Sequence, residues 1–105
     1  MRLYLFHCED AAGAPALRAA HLAAHLDHVE AHIGDYAVAG PLKEGGVPVG
    51  SVLVIKGENE AEARARFEAD PYFRAGVWHA VRVHEFAAVA GDWVGGAAWK
   101  RKPAG

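Results

Sequence analysis

The chain has a single cysteine, no apolar run near membrane length and almost no excess charge of either sign. Each shortage closes off a class of protein. Cys8 has no partner for an internal disulfide, which fits a reducing compartment. No stretch approaches the roughly 20 apolar residues that a bilayer span requires. The opening "MRLYLFHCED" turns polar too soon for a secretory leader. We therefore expect a cytoplasmic protein with no membrane partner. The formal charge of −2 offers no basic field to draw a nucleic acid. What is present is 105 residues, 52% hydrophobic and 23% charged, a composition that folds rather than one that stays disordered. That length supports one domain burying about two thirds of its unfolded surface around a single core.

Along the chain, "RLYLFHC" (2–8) predicts a strand covered on both faces, since Leu3 and Leu5 alternate with Tyr4 and Phe6. From Ala16 to about Ile33 the sequence is rich in Ala and Leu and free of Gly and Pro. Leu22, Leu26, Val29 and Ile33 recur there at helical spacing, with Pro15 at the entrance and Gly34 at the stop. "DYAVAGPL" (35–42) predicts a second strand ended by Gly40-Pro41. "KEGGVPVG" predicts a turn, and "SVLVIKG" (51–57) a third strand returning as a hairpin. "NEAEARARFEAD" (59–70) reads as a short helix capped by Asn59, with Ala63, Phe67 and Ala61 inward. A turn from Asp70-Pro71 to Gly76 leads to a fourth strand, "VWHAVRVHEFAAV" (77–89).

The order β-α-β-β-α-β, with right-handed crossovers, predicts an α+β fold of the ferredoxin-like kind: a four-stranded antiparallel sheet with its helices on one face. We set the domain at 1–90 and a two-tryptophan, basic-ended tail at 91–105. Strands one, three and four carry apolar residues at both parities, so the other sheet face needs a cover too. A second copy is the simplest cover, and we expect a homodimer packed sheet to sheet. Trp93 and Trp99 are large apolar surfaces, and we expect at least one to be mostly buried, on the body or on the partner.

"HLAAHLDHVEAH" (21–32) places His21, His25, His28 and His32 within about 60° of helical arc, at about 100° per residue. Taking His21 as the origin, the leucine face averages near 110°, His25 lies near 40° and Arg18 near 60°. The stripe thus flanks the predicted core face, with His25 nearest to it and the other three expected on a solvated flank. Metal chelation by His21/His25 or His28/His32 has the i, i+4 spacing. However, the HExxH arrangement is absent, and no cysteine pair or carboxylate cluster completes a site. We expect no dedicated metal. Cys8 reads as a small buried hydrophobe rather than a nucleophile, and Ser51 lacks a nucleophile elbow. "GGVPVG" and "GDWVGG" are turns, not phosphate loops, and no dinucleotide fingerprint is present. Asp70, ahead of Pro71, can cap its own helical turn. It can equally orient a histidine, fixing the tautomer and raising the basicity of the far nitrogen. Spacing alone leaves both open.

Several pieces in order resemble the YCII-related (YciI-like) domains, small proteins of the dimeric α+β barrel group. They are "LYLF", "LRAAHLAAHL" with Arg18 and His25, "VAGPL", "GSVLVI", "EAEARARFEADPYFRAGVW" with Asp70-Pro71-Tyr72, and "AVRVHEF", spanning roughly residues 2 to 87. The two-tryptophan tail lies outside this pattern. The resemblance implies a site pairing a helix-one histidine with the aspartate of the DP motif. Counting back from Gly40-Pro41 selects His25. His21, in a second "HL" pair, is the competing register, and the helical-face argument independently favours His25. On that basis the candidate catalytic pair is His25 and Asp70, with Arg18, Gly40, Pro41, Ser51 and Tyr72 lining a small-molecule pocket and no cofactor. The resemblance implies lyase-like chemistry, removing a leaving group such as chloride. Alternatives of a different class are a ligand-binding or regulatory module without turnover, and metal binding by the histidine stripe.

Overall fold

The computed structural model describes residues 1–100, so the tail beyond Lys100, including most of its basic end, lies outside the described residues. Strand β1 (Arg2–Asp10) leads through helix α1 (Ala14–Ala31) and a 3-10 turn at Ile33–Asp35 to β2 (Tyr36–Glu44) and β3 (Val47–Gly57). Helices α2 (Glu60–Glu68) and α3 (Pro71–Ala75) then precede β4 (Trp78–Phe86). The four strands form one antiparallel sheet in the order β2-β3-β1-β4, the ferredoxin-like arrangement. A short hairpin follows, β5 (Ala90–Gly91) with β6 (Gly96–Ala97). Among the described residues no helix is long and apolar enough to cross a membrane.

Strand alternation puts Tyr4, Phe6, Cys8, Leu53 and Ile55 on one face, where they pack with Ala14, Ala63, Phe67, Tyr72, Val77 and Trp78 from the helices and from the start of β4. Phe67 is the hub: its ring stacks on Phe6 at 4.4 Å and on Trp78 at 5.5 Å. Cys8 is fully buried, and burial pushes its thiol up to about 12, which makes it a poor nucleophile at neutral pH. Helix α2 is capped as expected, Asn59 accepting from the Glu62 amide at 2.9 Å, but Ala61 faces solvent.

Two expectations are corrected and a third is narrowed. First, Gly40-Pro41 does not end β2. The strand runs on to Glu44, with Pro41 opposite Ser51. Because β2 is an edge strand, the missing proline N–H costs no ladder bond. The reversal comes later, at Gly45-Gly46, whose φ values of 56° and 80° suit a two-residue hairpin turn. Second, α1 is rotated relative to its apolar period. Leu22, Leu26 and Ile33 are 48%, 53% and 66% exposed, whereas His21, His25 and His28 are half-buried. The helix packs on α3, and polar and ring contacts made through His25 set its rotation, leaving the leucine side over a cleft. Third, Trp93 and Trp99 are 86% and 70% exposed, so neither is buried on the body of its own chain.

Candidate active site

Helix α3 is five residues long and begins at a proline. Its first turn needs a cap, and Asp70 supplies one: Oδ1 accepts from the Tyr72 amide at 2.8 Å. The same oxygen lies 2.7 Å from His25 Nδ1. The two roles left open by spacing are therefore filled together by one carboxylate oxygen. Asp70 is fully buried, and its other oxygen, Oδ2, has no hydrogen-bond partner among the described residues. An aspartate that accepts at Nδ1 holds the neutral imidazole with its proton there and its lone pair on Nε2.

Tyr72 fixes the ring from below. The two rings stack 3.9 Å apart and 2° from parallel. The Tyr72 hydroxyl donates to the Arg18 carbonyl at 3.1 Å, one helical stretch before His25. Burial foremost raises the pKa of this phenol, so it stays protonated and keeps donating. The Arg18 guanidinium lies 5.5 Å from the centre of the same ring.

Arg18 is itself held on several sides. Nε and Nη2 donate to the two oxygens of Asp10 at 2.9 and 2.8 Å, and Nη2 reaches the Gly50 carbonyl at 3.0 Å and Ser51 Oγ at 3.1 Å. Hydrogen bonding to Asp10 is the main cause of a raised Arg18 pKa, which keeps the guanidinium charged. Gly50 is also a point of close approach. A Cβ there would collide with the Cys8 carbonyl oxygen, so the β1–β3 contact that positions Ser51 requires glycine.

These elements enclose a cavity of about 200 Å³ lined by Arg18, His25, Leu26, Val29, Ala39, Gly40, Pro41, Ser51, Leu53 and Trp78. Of the residues singled out from sequence, Arg18, His25, Gly40, Pro41 and Ser51 line it, while Asp70 and Tyr72 support His25 from behind. Gly40 makes no close backbone approach, since a Cβ there would meet nothing within 4 Å. The leucine side of α1 supplies part of the wall through Leu26 and Val29. Sequence reading missed Asp10, which lay past the predicted end of the first strand although β1 extends through it, and Trp78, one more aromatic in an apolar strand. Trp78 Nε1 is buried without a hydrogen-bond partner among the described residues.

The other members of the histidine stripe stand apart. His28 and His32 line a separate cavity of about 290 Å³ with Asp35, Tyr36, Glu62 and Arg66. Burial is the main cause of a lowered His28 pKa. Among the described residues no group of three or more His, Cys, Asp or Glu is placed to hold a metal ion.

An antiparallel ferredoxin-like sheet with a histidine–aspartate pair at a helix-lined cavity defines a small α+β domain of one known kind. The chain belongs to the YCII-related domain family, whose model matches residues 2–87. Among curated protein sequences none matches it. A solved structure similar to it is the 5-chloro-2-hydroxyhydroquinone dehydrochlorinase of Burkholderia phenoliruptrix AC1100, in complex with 2,5-dihydroxybenzoquinone. The TM-score is 0.72 at 27% identity, covering 86% of this chain and 96% of that one. A protein from Agrobacterium tumefaciens matches with a TM-score of 0.52 at 15% identity, covering 83% of this chain and 92% of its own, a likeness of fold alone.

Proposed function

We propose that the protein is a small-molecule enzyme that uses His25, oriented by Asp70, for cofactor-independent proton transfer in an elimination or isomerisation. The observation that carries this reading is the 2.7 Å contact between His25 Nδ1 and Asp70 Oδ1 at the wall of a cavity. With Nδ1 committed to the carboxylate, Nε2 is left as the base. It takes a proton from a hydroxyl or activated C–H of the ligand, and the electron pair released forms the new double bond as a leaving group departs. For a chlorinated ring diol, one hydroxyl proton first moves to the ring carbon that carries chlorine; loss of the second hydroxyl proton to His25 then forms the new C=O and C=C bonds as chloride leaves, so the products are the quinone, a proton and chloride, with no external oxidant or reductant. The similarity to a dehydrochlorinase supports this class of reaction. We place the enzyme in the cytoplasm, in keeping with its single, buried thiol.

The test is chloride release from 5-chloro-2-hydroxyhydroquinone and a small set of halogenated hydroquinones. Turnover by the native protein and its loss in His25→Ala is the expected result. Binding of these compounds with neither chloride release nor proton exchange with solvent would leave a binding module without turnover.

The working form we propose is a homodimer. Leu3, Leu5, Val52 and Val54 occupy the sheet face opposite the helices, and with Phe86, Trp93 and Val94 they line an open groove of about 760 Å³. An apolar face of this extent is costly in water. A second copy laid sheet to sheet would cover it and the exposed Trp93. Light scattering at micromolar concentration should give twice the mass of one chain, and Leu5→Lys, in the middle of the face, should give the single-chain mass. A native protein that scatters as a monomer would remove the dimer.

A further inference from the structure

We propose that the hairpin β5–β6 is the clasp of the homodimer: Trp93 of each subunit seats in the groove of the other, so the partner this surface fits is a second copy of the chain. This rests on the dimer proposed above and adds what grips it. The hairpin begins at Ala90, beyond the family domain at residues 2–87, so the grip is an addition to that domain. Its shape is fixed. Gly91 and Gly95 take φ values of 136° and 82°, which a residue with a Cβ rarely adopts, and between them Asp92–Val94 closes as a 3-10 turn with Trp93 at its middle. The Gly95 amide donates to the Asp92 carbonyl at 3.1 Å, and the Ala98 amide to the Val89 carbonyl at 2.8 Å. Yet each strand is two residues long, and a lone hairpin of that kind is marginal in water. The described residues have a radius of gyration of 15.1 Å, against about 13 Å for a compact chain of this length. One copy is thus more open than its length requires.

Groove and tryptophan share one face. Leu3, Leu5, Val52, Val54 and Phe86 line the groove of about 760 Å³ from the sheet, and Trp93 lines it from the hairpin. An indole that bounds a groove and is still 86% exposed does not fill it. In a two-fold pair the same patch meets itself, so each subunit carries both halves of every contact. This face has both: the sheet offers an apolar bed and the hairpin presents a ring to lie in it. Charge follows the same rule. Lys56, opposite Leu3 in the sheet, and Asp92 in the hairpin line the groove with opposite signs, and neither has an ion-pair partner among the described residues. One charge of each sign suits a copy of the same patch, whereas an anionic membrane surface calls for cations alone. Tryptophan is among the residues enriched at interface hot spots, where a ring desolvated in a pocket carries much of the binding.

The experiment is a dilution series of the full chain by sedimentation velocity, native and with Trp93→Ala or Trp99→Ala. Tryptophan fluorescence is read alongside on Trp99→Phe. Trp99 is 70% exposed and lies outside the groove, so it serves as the control. The expected result is a dimer weakened about 100-fold or more by Trp93→Ala, two anchors being lost per pair, and within about threefold of native in Trp99→Ala. In Trp99→Phe the emission should move to the red on dilution, as Trp93 passes from the partner into water while Trp78 stays buried. Trp93→Ala removes a side chain that its own subunit leaves in water, so its unfolding midpoint should match that of the diluted, single-chain native protein. A dimer of native affinity in Trp93→Ala would overturn the clasp and leave the sheet-to-sheet dimer standing. Equal weakening by both alanine variants would overturn Trp93 as the anchor. A native protein that stays a single chain at every concentration would overturn clasp and dimer together. Emission that ignores dilution but shifts to the blue on adding phosphatidylcholine–phosphatidylglycerol vesicles would make the occupant a membrane and overturn the proposed partner.

Discussion

His25→Gln is expected to lower turnover by about 10²–10⁴-fold, the usual worth of a positioned general base, while the protein still folds cooperatively. Glutamine separates the two things His25 does. Its amide can donate toward Asp70 from the same helical position, but it has no basic nitrogen to take a proton. His25→Ala removes both functions. It leaves a fully buried carboxylate with the Tyr72 amide as its remaining partner and strips a stacked ring from Tyr72. Losing that hydrogen bond and ring contact should cost about 2–4 kcal/mol, so alanine alone would confuse inactivity with instability. His28→Ala is the matched control: it lies one turn further along α1, beside a different cavity, and should leave turnover near the native value. The measurements are chloride release under saturating substrate and a denaturant midpoint for each variant. Native turnover in His25→Gln would dismiss His25 as the base, whatever its distance from Asp70.

Local periodicity was enough for the order of the four sheet strands, α1 and α2, because each of these runs over nine or more residues, whereas the five residues of α3 read only as a turn. It misled where distant residues decide the outcome. The leucine period of α1 pointed Leu22, Leu26 and Ile33 at the core, yet the contacts that set the rotation of the helix are made by Asp70 and Tyr72, more than forty residues away. A stacked ring and a short hydrogen bond to a buried carboxylate outweigh a few leucine side chains that can still cover part of a cavity wall. Gly40-Pro41 misled for another reason: the pair reads as a breaker, and only the sheet order reveals that β2 is an edge where proline is harmless. Of the candidate site, helical geometry set Arg18 beside His25, but the leucine face that it took as the core side is exposed, and the weight on His25, Arg18 and Asp70 came from resemblance. Asp10 was not legible, since a carboxylate at a strand end looks like any solvated charge until an arginine is found against it.

Asp70→Asn and Asp70→Ala are expected to part company, and their difference measures how much of Asp70 is cap and how much is partner to His25. Asparagine is as good an N-cap as aspartate. Both donors that Asp70 receives, the Tyr72 amide and His25 Nδ1, converge on Oδ1, so the asparagine oxygen takes that place and preserves cap and tautomer together. Its amide nitrogen then falls where Oδ2 was, without an acceptor. That penalty is offset by no longer burying a charge. The unfolding free energy of Asp70→Asn should stay within about 1 kcal/mol of native, whereas Asp70→Ala, losing the cap and the bond to His25, should fall by about 2–4 kcal/mol. Turnover should separate differently. Asparagine keeps His25 in place but no longer supplies the negative charge that stabilises the imidazolium as the proton arrives, a loss of about 10–100-fold, since a charged acceptor is worth about twice a neutral one. Alanine also frees the ring to rotate and should be slower still. If Asp70→Asn turned over at the native rate, the carboxylate would be a cap whose nearness to His25 has no chemical consequence. A hundredfold slower enzyme of native stability would mark its charge as part of the reaction.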